Sequence, residues 1–217
     1  MRVVRGIKNA LLNDVHELSA MLKTDQWHIR ATYGNIRALQ NDFGLTEPYP
    51  MQTISRNLPD EAATLAAGEA IGRLLGAQPS PTLQLHVDLI GNLGAGKTTL
   101  VRGVLRGLGY TGRVKSPTYP LLENYRVGDL NLAHFDLYRL ETPEAFIEAG
   151  FDESFLGPGV RFVEWPAQAG RHLPKADWRL TLTDAPQGGR LISAEALNPA
   201  TAALLAHLCP TPGQKPG

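Results

Sequence analysis

One cysteine, Cys209, is all that this 217-residue sequence carries, which excludes an internal disulfide and a cysteine-built metal cage. An inert thiol on a C-terminal helix is the ordinary reading of such a residue. Charge of one sign is equally scarce. Lysine and arginine number 21, aspartate and glutamate 21, and the formal net charge is zero. A protein that grips nucleic acid unaided presents a basic face, so this balance speaks against autonomous RNA or DNA binding. No apolar run approaches a membrane span, and the N-terminus lacks a signal-peptide core. A soluble, cytoplasmic protein is the expectation. The length suits one α/β domain with something to spare, and no internal repeat is visible.

What the chain does have is Gly91-Asn92-Leu93-Gly94-Ala95-Gly96-Lys97-Thr98, followed by Thr99. It fits the phosphate-loop pattern G-x-x-x-x-G-K-[ST] at every fixed position. An apolar-alternating run from Leu83 to Ile90 predicts a strand entering the loop. Leu100, Val101, Val104, Leu105 and Leu108 have helical spacing, which predicts a helix leaving it over Thr98–Leu108. Glycines let backbone N–H groups wrap a phosphate chain, and the helix start adds its positive dipole end. Lys97 offers a mobile charge for the outer phosphates, and the Thr98 hydroxyl is a ligand for Mg²⁺. The pattern points to a nucleoside-triphosphate site.

Two acidic residues stand at predicted strand ends downstream. Leu121–Val127 and Leu130–Phe135 read as strands about a Gly128-Asp129 turn, and the second runs into Asp136. Val160–Val163 runs into Glu164, Trp165 and Pro166. Carboxylates so placed suit a Mg²⁺ ion or an attacking water, while an Asp in such a place also caps the segment that follows. His134 shares a face with Asp136 and reads as packed or hydrogen-bonded rather than catalytic. Trp165 packs against nucleotide or fills the core, with core the simpler reading. Ser116, Pro117 and Thr118, one loop beyond the phosphate loop, occupy the place of a nucleotide-sensing switch, although a plain turn explains them as well.

The remaining elements are scaffold. Pro59-Asp60-Glu61 opens a helix, Thr142-Pro143-Glu144 opens a short one to Ala149, and Trp178–Thr183 pairs with Arg190–Ala196. Pro199–Leu208 is a terminal helix and residues 210–217 a flexible tail. Residues 1–50 form an N-terminal extension, with helical stripes over Asn9–Leu22 and, weaker, Ile29–Leu39, and a linker over Gly44–Pro50. The extension reads equally as a partner-binding arm, a loose appendage, or translated upstream sequence ahead of a true start at Met51. The phosphate-loop domain is set at 51–209.

The segments GNLGAGKTT, SPTY, HFDLYR and EWP, in this order, resemble the TsaE family, formerly YjeE. These are bacterial P-loop ATPases of threonylcarbamoyladenosine formation beside the anticodon of certain tRNAs. The resemblance covers roughly Leu58–Ala196. It implies a P-loop α/β fold with a mostly parallel central sheet flanked by helices and antiparallel strands at one side. It implies ATP and Mg²⁺ as cofactors, bound over Asn92–Thr99 with Trp165 adjoining, and Thr98 and Glu164 on the metal. Lys97, Asp136 and Glu164 match its hydrolytic residues, and Ser116, Pro117 and Thr118 its switch-like loop. The implied partners are TsaD and TsaB, with tRNA reached only through them and no membrane involved. Asn92 stands where many relatives carry an acid, so hydrolysis is rested on Asp136 and Glu164.

Three other readings use the same loop. A small-molecule kinase needs a lid arginine, and no lid motif stands out. A GTP switch needs an N-K-x-D motif, which the sequence lacks. A nucleotide-dependent adaptor would bind without turnover.

Overall fold

A computed structural model describes residues 28–32, 51–78 and 82–208. The predicted Asn9–Leu22 helix, the Gly44–Pro50 linker, Cys209 and the tail lie outside the described residues. One eight-stranded sheet organises the rest, in the order β1-β2-β8-β7-β3-β6-β5-β4. The strands are β1 (His28–Thr32), β2 (Met51–Leu58), β3 (Gln84–Ile90), β4 (Leu122–Val127), β5 (Leu130–Asp136), β6 (Gly159–Glu164), β7 (Trp178–Asp184) and β8 (Arg190–Ala196).

The four central strands, β7, β3, β6 and β5, run parallel. Antiparallel strands close both edges: β8, β2 and β1 beyond β7, and β4 beyond β5. Burial on both faces explains the near-continuous apolar character of the middle strands, with all six residues of β6 buried.

The sheet reaches into the segment that the sequence reading set apart before residue 50. The predicted helical stripe over Ile29–Leu39 is corrected here: its first residues belong to β1, which pairs along β2 from His28↔Ser55 to Thr32↔Met51. Positions 33–39 lie outside the described residues. The backbone polar groups along β2 need partners, and β1 supplies them on that side. β2 itself pairs with β8 on its other side and buries Ile54 and Leu58.

Two helices cover one face. Helix α1 spans Glu61–Gly76 and is capped by Asp60, whose carboxylate accepts from the Ala63 N–H. Helix α2 spans Lys97–Gly107. They meet backbone to backbone. Gly68 and Gly72 of α1 face Gly103 and Gly107 of α2, and a Cβ on any of the four would strike a carbonyl oxygen of the opposite helix. Four-residue spacing puts each pair on one helix face. A terminal helix, α4 (Pro199–Ala206), lies near β8, where the Trp178 indole donates to the Thr201 carbonyl at 3.2 Å.

The other face carries an aromatic cluster of Phe135, Phe146 and Phe155, with Leu137, Leu140 and Val163. The predicted helix over Thr142–Ala149 is shorter than expected. Only Ala145–Glu148 is α-helical (α3, between α2 and α4), and it delivers Phe146 to that cluster.

Candidate functional site

The parallel strands β3, β5 and β6 end together, at Ile90, Asp136 and Glu164. Ligands of open α/β sheets sit at such carboxyl ends. In the register of the sheet Asp136 is paired with Glu164, and Leu89 with Glu164 on the other side. The two carboxylates and the glycine loop are therefore neighbours by strand pairing alone.

The loop turns on Gly91, Gly94 and Gly96, with φ of 151°, 76° and 99°. At Gly94 a Cβ would meet nothing within 4 Å, so its glycine answers to backbone conformation and leaves the cradle open. Helix α2 then starts without a side-chain cap and without an acidic residue in its first turn. Its leading N–H groups thus have no intrahelical acceptor, and its positive dipole end faces the loop. An anion is the natural partner of such an end.

Lys97 is buried, and its ammonium donates to the carbonyls of Gly91 at 2.8 Å and Asn92 at 3.0 Å. It stands 3.9 Å from a Glu164 oxygen and 4.4 Å above the centre of the Trp165 ring. Burial pulls the lysine below its ordinary pKa, while the carboxylates of Glu164 and Asp136 pull it back up. The Thr98 hydroxyl donates to Glu164 Oε1 at 2.8 Å, and His134 Nε2 lies 2.9 Å from that same oxygen. Asp136 is held from the other side. Its Oδ2 accepts from Ser116 at 2.9 Å and Thr118 at 2.8 Å, and its Oδ1 from the Tyr138 N–H at 3.2 Å.

Among the described residues two non-glycine residues have positive φ: Leu121 at 62° and Trp165 at 58°. Both abut the carboxylates. Trp165 follows Glu164 directly, and the Leu121 carbonyl accepts from the Asp136 N–H at 3.0 Å. Such conformations cost on the order of 1 kcal/mol or more each and persist where the surroundings over-determine them.

These groups line a cleft of about 230 Å³ that takes in Leu93–Thr99, Ser116, Thr118, Asp136, Glu164 and Trp165. Two sequence candidates stand back from it. Asn92 offers its main-chain carbonyl to Lys97 while its side chain stays off the wall, and Pro117 shapes the loop through its carbonyl, which accepts from the Leu121 N–H at 2.6 Å. Trp165 is half-buried against the aromatic cluster and forms part of the cleft wall. Tyr138 also lines the cleft, its ring centre 5.0 Å from that of Trp165, and sequence reasoning did not single it out.

The oxygen donors are hard: the Thr98 hydroxyl and the carboxylates of Glu164 and Asp136, with Thr99, Ser116, Thr118 and Tyr138 also lining the cleft. No cluster of three or more His, Cys, Asp or Glu side chains suited to a metal ion occurs among the described residues. That set fits a small divalent cation that keeps waters and shares its shell with the oxygens of an anionic ligand.

The family model for "Threonylcarbamoyl adenosine biosynthesis protein TsaE" matches residues 58–192. The chain belongs to the TsaE family. It is 39% identical over 133 residues to the tRNA threonylcarbamoyladenosine biosynthesis protein TsaE of Haemophilus influenzae, covering 58% of this chain and 80% of that one. The TsaE of Treponema pallidum is 36% identical over 143 residues, which cover 66% of this chain and 98% of the relative. The crystal structure of Bacillus subtilis YdiB superposes with a TM-score of 0.58 at 29% identity, covering 74% of this chain and 96% of that one. The P-loop fold and a role in tRNA threonylcarbamoyladenosine biosynthesis follow. The matched span runs from the end of β2 into β8 and holds every residue of the cleft. Among the described residues no helix is long and apolar enough to cross a membrane.

Proposed function

We propose that this TsaE chain binds ATP with Mg²⁺ and hydrolyses it to support a TsaB–TsaD pair in forming threonylcarbamoyladenosine on tRNA. The observation that carries the reading is the convergence of Lys97, Thr98, Glu164 and Asp136 on the uncapped first turn of α2. Loop and helix N–H groups take the phosphates. Lys97 exchanges its two carbonyl contacts for phosphate oxygens. Mg²⁺, when bound, neutralises charge that builds on the phosphates. Thr98 and Glu164 are placed to hold it, because the hydroxyl gives its hydrogen to the carboxylate and keeps its lone pairs for a cation.

That division leaves Asp136 to orient water. Its Oδ2 is tied to the Ser116–Thr118 loop, so movement of that loop on the outer phosphate would be felt at the carboxylate. No arginine lines the cleft among the described residues, which favours slow turnover by the isolated chain and completion of the site by partners. The neutral charge balance agrees with a protein that leaves tRNA to them. We place the protein in the cytoplasm with that machinery.

The test is ATP hydrolysis by the full chain, alone and with a TsaB–TsaD pair, with Lys97→Ala as the blank. Slow turnover that rises with the partners and vanishes in the blank is expected. Turnover indifferent to the partners would point instead to a kinase with a metabolite acceptor. Binding without turnover under every condition would leave a nucleotide-dependent adaptor.

A further inference from the structure

His134 lies on β5 beneath α2, with no exposed surface, on the face that also carries Leu132 and Asp136. Its Nε2 stands 2.9 Å from Glu164 Oε1, the oxygen that also receives the Thr98 hydroxyl at 2.8 Å. Its other nitrogen, Nδ1, is buried and has no hydrogen-bond partner among the described residues. The two nitrogens decide the tautomer. A proton on Nδ1 would be a donor stranded away from water, whereas a proton on Nε2 meets a carboxylate. Nε2 is therefore the nitrogen that donates, to Glu164 Oε1.

We infer that His134 is a positioning residue that sets how Glu164 and Thr98 receive a divalent cation, an assignment that rests on the function proposed above. With two donors on Oε1, the Glu164 carboxylate cannot rotate without breaking a buried hydrogen bond. Oε2 is then the oxygen left facing Lys97 and the cleft, 3.9 Å from the ammonium. The same arrangement holds Oε1 where the Thr98 hydrogen points at it, which aims the hydroxyl lone pairs toward the cation. Without the imidazole, Oε1 keeps a single donor that belongs to a metal ligand itself. Groups that hold metal ligands from behind in this way change metal affinity by about 10- to 100-fold when removed.

The strand register is what makes the contact possible. Asp136 pairs with Glu164 and His134 with Phe162, so the imidazole sits one step back along the sheet from the two carboxylates. From there it reaches Glu164 while lying behind the cleft wall rather than on it.

The experiment compares the full-length protein with His134→Phe, which keeps a ring and removes the donor, and with His134→Gln, whose amide nitrogen restores a donor at similar reach. A non-hydrolysable ATP analogue is bound first in EDTA and then with Mn²⁺, free Mn²⁺ being counted by its paramagnetic resonance signal. Expected is unchanged analogue affinity in EDTA for all three, a Mn²⁺ dissociation constant about 10- to 100-fold higher for the Phe variant, and recovery to within about threefold for the Gln variant. Should the Phe variant not fold, His134→Asn, whose shorter amide does not reach Oε1, takes its place with the same expectation. A folded donor-less variant that binds Mn²⁺ like the wild type overturns the inference, as does a Gln variant no better than the donor-less one. A wild-type chain that takes up no nucleotide at all removes the proposed function, and with it this assignment. Wild-type binding matched by the donor-less variant removes this assignment alone.

Discussion

Thr118 donates its hydroxyl to Oδ2 of Asp136 at 2.8 Å, tying the loop that follows α2 to the end of β5. Ser116 reaches the same oxygen at 2.9 Å. The carboxylate is thus oriented by the loop rather than by the sheet that carries it. If Asp136 directs water, Asp136→Asn lowers turnover by about 10²- to 10⁴-fold, the range for a positioned base. Nucleotide affinity should stay within a few-fold, since Lys97 and the helix end are untouched. Thr118→Val keeps the shape and removes the donor. It should fall between the wild type and Asp136→Asn, because Ser116 still holds Oδ2. Steady-state hydrolysis with nucleotide binding measured in parallel decides this, and equal losses of both would show that Asp136 serves binding.

The lowered pKa of Lys97 makes a statement about stability. Below its folded-state pKa the lysine is charged in both states. Between that value and its ordinary one, the unfolded chain binds the proton and the folded chain does not. Stability rises with pH wherever the unfolded state holds more protons. Relative to Lys97→Met, the wild type should therefore gain stability as pH climbs through this alkaline window. The offset between the two at pH 7 also contains the lost contacts to Gly91 and Asn92, and the slope does not. Tyr125, pushed up to about 12 by burial, titrates in both proteins and cancels from the difference. Denaturant melts at several pH values test it, and a gap that stays constant would refute it.

The packing of α1 on α2 separates two reasons for glycine. Gly103 has ordinary φ but no room, since a Cβ would run into the Leu65 carbonyl oxygen. Gly128, in the β4–β5 turn, has φ of 59° and nothing within 4 Å. Gly103→Ala should cost about 2–3 kcal/mol by forcing the helices apart. Gly128→Ala should cost about 1 kcal/mol through backbone conformation alone. Nucleotide affinity should fall only in the first, because α2 carries the phosphate-binding turn. Similar costs for the two variants would mean that the helices yield easily.

How far the sequence could be read depended on whether a feature was local. The glycine loop, Lys97 and Thr98 are fixed by contiguous chemistry, and Asp136 and Glu164 by their places at strand ends. β2 escaped because Ile54 and Leu58 are its only well-buried apolar residues among the described side chains and Arg56 lies between them. The extension on which β1 lies carries a partial helical stripe, so its strand depends on the edge of β2 and not on propensity. The contact of His134 with Glu164 is set by the pairing of β5 with β6, and the glycine pairs by the crossing of two helices. Neither appears until the chain is folded. For Asn92 the sequence drew attention to the side chain, whereas the main-chain carbonyl makes the contact with Lys97.

At the other end of β6 from the cleft, Arg161 is buried and faces carbonyls instead of a carboxylate. It donates to Ser154 at 2.6 Å, Gly159 at 2.8 Å and Gly157 at 2.9 Å. Burial lowers its pKa from the ordinary arginine value, which marks the cost of holding a cation there. Arg161→Met keeps the stem and removes the guanidinium. The Gly159 carbonyl, in a buried contact, and the part-buried Ser154 and Gly157 carbonyls then lose their donor, at about 1 kcal/mol each, while relief of the buried charge offsets part of the loss. A net destabilisation of about 2 kcal/mol is expected, with faster amide exchange concentrated over residues 154–159. Arg161→Lys should recover little, because one ammonium cannot span carbonyls that a planar fork reaches together. Nucleotide affinity should stay within about twofold in both variants, since the cleft lies at the opposite end of the strand. Thermal melts and hydrogen exchange test this. A Met variant as stable as the wild type would mean that water satisfies those carbonyls, and that the arginine is tolerated by the loop rather than required by it.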